Sequence, residues 1–125
     1  MVFLYFGSDA FNYKSSESSI RTIIVAKEKY GSPQDFFESA IAYIDEEIDT
    51  EDDIRAEYDG AYLKEGLYEK IIKQWISSMD KKIEIAFNNI IKTYRIKRTT
   101  YDPNIDEFVL ETEDEYILFL WATSA

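Results

Sequence analysis

The chain has no cysteine and no histidine, only two prolines and four glycines in 125 residues, and no long apolar run. Each absence removes some chemistry. Without cysteine there is no disulfide stapling and no thiolate metal site. Without histidine the chain lacks the usual general base near neutral pH and the usual neutral metal ligand. Every Ser-His or Cys-His nucleophile pair is excluded as well. A phosphate-cradling loop after the first apolar stretch would need several glycines, and only Gly7 is there. The opening MVFLYF is apolar for six residues, follows no basic region and ends at Gly7, Ser8 and Asp9. A signal peptide needs a longer apolar core behind positive charge. Nothing approaches the roughly 18 apolar residues of a membrane-spanning helix. The expected address is therefore cytoplasmic, with no membrane partner.

What the chain does contain is enough to fold. An apolar fraction of 46% with 16% aromatics suits a single globular domain over residues 1–125. Net charge is −11 and is unevenly spread. Residues 1–27 carry +1, 28–69 carry −11, 70–98 carry +6 and 99–125 carry −7. A strongly acidic chain repels phosphates, so no direct nucleic-acid binding is expected and a cationic partner is the simpler reading. Opposed acidic and basic regions on one small protein also allow a homodimer in which one subunit's acids meet the other's basic face.

Val2 to Phe6 reads as a short buried strand ended by Gly7, and Ile20 to Ala26 as a second, joined by a serine-rich loop. Ser32-Pro33-Gln34-Asp35 is a helix start: Ser32 caps, Pro33 suits the first helical position and Asp35 takes the capping-box place. Phe36, Phe37, Ala40, Ile41, Ile44 and Ile48 then recur at helical spacing, predicting a helix over 33–48. Thr50 followed by Glu51, Asp52 and Asp53 predicts a short helix through Tyr58, with a turn at Asp59-Gly60. From Gly66 to Arg95, Tyr68, Ile71, Ile72, Trp75, Ile76, Met79, Ile83, Ala86, Phe87, Ile90 and Tyr94 share one helical face. This predicts a long amphipathic helix over about 66–95, bent near 77–80. The competing reading makes 82–87 and 90–96 a hairpin turning at Asn88-Asn89, but it sets Ile85 opposite Lys92 on an apolar face. Glu107–Thr112 and Glu115–Thr123 read as strands around an acidic turn, apolar on both faces and so central or doubly covered. The expected fold class is α+β, a four-stranded mainly antiparallel sheet in β-β-α-α-α-β-β order packed on helices. Trp75 and Trp121 read as core residues rather than ligand platforms.

The acidic run Asp45, Glu46, Glu47, Asp49, Glu51, Asp52 and Asp53 is the candidate functional stretch. It fails as a calcium loop, because the sixth position is Ile54 and the twelfth is Gly60. Its simplest role is a solvated face. Tyr58, Asp59 and Tyr62 just downstream add aromatic contact surface of the kind enriched at interfaces, and acids interleaved with aromatics also imitate a nucleic-acid backbone. No catalytic group, metal or cofactor is assigned, and the chain is not expected to be an enzyme. The functional expectation is a small inhibitor that neutralises a basic protein partner through Asp45 to Tyr62. Immunity proteins against nuclease toxins and viral inhibitors of host-defence nucleases are of that class. The alternatives are a carboxylate-dependent divalent-metal enzyme or ligand-binding domain, and a self-assembling structural protein.

Overall fold

The computed structural model describes residues 2–7, 10–11, 18–48, 53–78, 89–98 and 104–123. Strands β1 (Val2–Phe6), β2 (Ser18–Ala26), β3 (Tyr62–Gly66), β4 (Ile90–Lys97), β5 (Ile105–Thr112) and β6 (Glu115–Thr123) form one sheet. Its order is β1-β2-β6-β5-β4-β3, and every neighbouring pair is antiparallel. Helix α1 (Pro33–Tyr43) covers one face and α3 (Glu69–Ser77) the other, while α2 (Ile54–Glu57) is a single turn beside α1. Among the described residues no helix is long and apolar enough to cross a membrane.

This corrects the expected four-stranded sheet built on a long helix: the sheet has six strands, and 66–95 is not one helix. Gly66 ends a strand, the helix covers only Glu69–Ser77, and Ile90–Lys97 is a strand. The helical periodicity is genuine over the nine residues of α3, where Ile72 and Ile76 are buried and Trp75 is half-buried. Beyond that it is fortuitous. Ile90, Ile91, Thr93 and Ile96 give β4 a β-branched content that suits a pleated surface. The objection to a strand there rested on residues 82–87 as its partner, and those lie outside the described residues. The actual neighbours come from far along the chain: Thr93 pairs with Gly66 on β3, and Lys92 with Glu111 on β5. An irregularity between Ile90 and Lys92 turns Ile91 outward.

β5 and β6 are central, which accounts for their two apolar faces. Phe108 stands opposite Phe119 and Leu110 opposite Ile117. On the α1 side, Ile23, Val25, Val109, Leu118 and Leu120 pack against Phe36, Phe37, Ala40, Ile41 and Ile44. On the α3 side, Ile20, Phe108, Leu110, Ile117, Phe119 and Trp121 pack against Ile72 and Ile76. Trp75 stacks on Trp121 with ring centroids 3.8 Å apart, so both tryptophans belong to this layer. The indole nitrogen of Trp75 donates to Asp106 at 2.9 Å.

Local signals explain the connections. Ser32 caps α1 by accepting from Asp35 N at 3.1 Å, with Pro33 in the first turn. The helical course then continues as a π-turn over Ile44–Ile48. Gly60 adopts φ 76°, the left-handed conformation that the expected Asp59-Gly60 turn requires. The Thr93 hydroxyl accepts from Tyr68 N at 3.1 Å and donates to Gly66 O, tying the β3–α3 connection to β4.

Candidate binding surface

Two glutamates of β5 point to the α1 side and are nearly inaccessible, Glu107 at 6% and Glu111 at 8% exposure. Carboxylates that deep must be matched by donors and cations. Glu107 receives the Tyr58 hydroxyl and faces Arg98 Nη1 at 3.6 Å. Glu111 receives the Tyr94 hydroxyl at 3.1 Å and Lys27 Nζ at 2.8 Å. A tyrosine hydroxyl and a cation thus meet at each glutamate. Arg98 also covers the Tyr58 ring at 4.4 Å and donates to Glu57 O at 3.0 Å. Burial, reinforced by Glu107, pushes the Tyr58 hydroxyl well above its ordinary pKa of 10.0. Burial and then the hydrogen bond to Glu111 raise Tyr94, and burial raises Tyr116. The hydrogen bond to Glu111 raises Lys27.

On the other sheet face, Arg95 Nη2 meets Asp106 Oδ1 at 2.9 Å and lies over the rings of Tyr68 and Phe108. Arg95 and Arg98 therefore spend their charge on the acids of β5 and on Glu57. The surface of α1, the π-turn and α2 carries the exposed acids Asp35, Glu38, Glu46, Glu47, Asp53 and Glu57.

The sequence-selected residues divide there. Asp45 accepts from Ile54 N at 2.7 Å and faces Arg55 Nε at 3.5 Å, so it organises α2. Asp53 caps the same turn by accepting from Ala56 N at 3.2 Å. Glu46 pairs with Arg55. Tyr58 is turned inward onto Glu107 and presents no free hydroxyl. Glu47 and Asp59 are exposed and have no ion-pair partner among the described residues. Tyr62 is 58% exposed on β3. Asp49, Glu51 and Asp52 lie outside the described residues, as does the expected cap Thr50. Among the described residues no three Asp or Glu side chains converge as a metal ion would require.

Sequence reasoning missed the contribution of α1. A cleft of about 320 Å³ opens between α1 and the α2–β3 connection. Phe37, Ile41, Ala42 and Ala61 supply its apolar lining, and Glu38, Arg55 and Asp59 its charged groups. Glu38, Ile41 and Ala42 fall at i, i+3 and i+4 of α1, with Glu38 exposed and Ile41 buried at the cleft. That spacing was visible, but not which face α2 would leave open. A scan against protein-family models, a search of curated proteins and a search of solved structures each found no match.

Proposed function

We propose that this protein binds a basic protein partner through the surface formed by α1, the π-turn, α2 and the start of β3, and so inhibits it. The observation that carries this reading is the separation of charge. Arg95, Arg98 and Lys27 are engaged with β5 carboxylates, while Glu38 and Asp59 line a partly apolar cleft together with Arg55, and Glu47 is exposed on the π-turn. An apolar depression with an acidic rim suits long cationic side chains, whose stems pack on carbon while their charged heads meet carboxylates. Long-range attraction from a chain of net charge −11 would speed capture of such a target. Basic nucleases, whether toxins or host-defence enzymes, are the partner class that fits this electrostatics. The structural contribution of Asp45 and Asp53 moves the contact role to Glu38, Glu46, Glu47, Asp59 and Tyr62.

The test is affinity capture from the native host or its target cell, with captured proteins identified by mass spectrometry. The native chain should retain a basic protein whose enzymatic activity falls when the chain is added. The combined Glu47→Lys and Asp59→Lys reversal should lose that protein at least tenfold in affinity, about 1.4 kcal/mol. A captured partner bound equally well by the reversed chain would overturn the proposal.

A further inference from the structure

Among the described residues the sheet has two outer strands, β1 and β3, each hydrogen-bonded to one neighbouring strand. An outer strand leaves alternate N–H and C=O groups open to pairing with another strand, and proteins normally guard such edges with charge, proline or side-chain caps. β3 is guarded. It carries the exposed charges Lys64 and Glu65, and the Gln34 side chain of α1 accepts from Leu63 N at 3.3 Å. β1 reads VFLYF, with no charged residue, no proline and no side-chain hydrogen bond to its backbone among the described residues. Val2 is 53% exposed and Tyr5 57%.

We propose that β1 is the pairing edge for a second copy of this chain, joined about a two-fold axis at Leu4. The proposal is independent of the acidic surface, which lies with α1, α2 and β3. Its basis is self-complementarity. Antiparallel pairing about Leu4 sets Val2 opposite Phe6 of the second copy, Phe3 opposite Tyr5, and Leu4 opposite itself. The two most exposed side chains are thereby each covered by an aromatic ring, and aromatic–aromatic and aromatic–β-branched cross-strand pairs are favourable. The register also conserves alternation. Whether positions 2, 4 and 6 or positions 3 and 5 turn their open backbone groups outward, each meets a position of the same kind. Facing residues therefore exchange hydrogen bonds in either case. Phe3 packs with the α1-side core, and Leu4 and Phe6 with the α3-side core, so both apolar layers continue across the axis. The same operation on β3 about its central residue would set Lys64 against itself, a like-charge pair that disfavours that edge.

Sedimentation velocity across a range of concentrations tests the proposal. The native chain should run at twice its 14.7 kDa mass. Tyr5→Lys should reduce it to one chain, whereas Tyr62→Lys on the opposite edge should leave the doubled mass. The register is read by single cysteines in a chain that has none of its own. Leu4 lies opposite its own copy at about 4.5–5.5 Å between Cα atoms, within disulfide reach. Val2 would lie about 13 Å from its copy, four residues along the strand, beyond that reach. On oxidation Leu4→Cys should give a covalent two-chain band and the more exposed Val2→Cys should not. A native chain that stays at one-chain mass, a doubled mass that survives Tyr5→Lys, or equal cross-linking at both cysteines would each overturn the proposal. One-chain mass together with pairing to a foreign strand would assign the edge to another protein.

Discussion

The acids of β5 and the acids around α2 have the same chemistry and opposite fates. Asp106, Glu107 and Glu111 are drawn into the sheet and matched by Arg95, Arg98 and Lys27, with tyrosine hydroxyls completing the two glutamate sites. Around α2, Asp45 and Asp53 satisfy backbone amides, while Glu46, Glu47 and Asp59 stand in solvent. The difference follows from what each segment forms. A central strand buried on both faces must compensate any carboxylate it carries, whereas a short helix at the rim lets water do so. Arg95 and Arg98 of the 70–98 segment are thus engaged within the fold, while the 28–69 segment includes the exposed acids Glu38, Glu47 and Asp59. Summing charge along the sequence could not separate these two populations.

The contrast can be broken from the buried side first. Arg98→Met removes the Arg98 cation from the nearly inaccessible Glu107 carboxylate, so unfolding free energy in urea should fall by about 3 kcal/mol. Tyr58→Phe deletes one hydrogen bond to the same glutamate and should cost about 1–2 kcal/mol by the same measurement. Alkaline pH probes both glutamate sites together. Tyr58, Tyr94 and Tyr116 have folded-state pKa values raised above 10.0, so above pH 10 the unfolded chain releases protons that the folded chain keeps. Their contribution is present in full below pH 10 and is lost as pH climbs through the raised values. Tyrosinate absorbance should therefore lag for Tyr58, Tyr94 and Tyr116 and rise in a step as the protein unfolds. On the exposed side, Glu47→Lys with Asp59→Lys should change stability by no more than about 0.5 kcal/mol. A large loss there would erase the distinction between the two groups of acids.

How far the sequence discloses this arrangement depends on the range of the interactions involved. Ser32, Pro33 and Asp35 announce α1 because capping is local, and Asp59-Gly60 announces its turn because a left-handed residue is needed. The two apolar faces of Tyr116 to Trp121 disclose a covered strand, as found at the sheet centre. β4 is misread because its pairing with Tyr62–Gly66 and Phe108–Thr112 is non-local, while a helical stripe fits locally. β3 is too short for its alternation to outweigh the helix signal beside it. In the acidic stretch the concentration of charge is legible. The assignment of Asp45 and Asp53 to backbone amides and of Tyr58 to Glu107 is not, because the partners lie across the fold.

The place of β6 also governs how the chain comes to fold. It lies between β2 and β5, and Ile20 meets Trp121 across a loop of about a hundred residues. Hairpins β1–β2, β3–β4 and β5–β6 differ in the loops they close, but none unites the sheet without the β2–β6 seam. A high share of such distant pairings slows folding to the millisecond-to-second range of β-rich domains. Synthesis proceeds from the other end, so β1 and β2 leave the ribosome well before β6, with the apolar face of β2 awaiting its neighbour. Until residues 115–123 emerge, the β1–β2 pair and the β3–β4–β5 strands have no strand between them, and those nine residues act as the keystone that sets the timing of assembly.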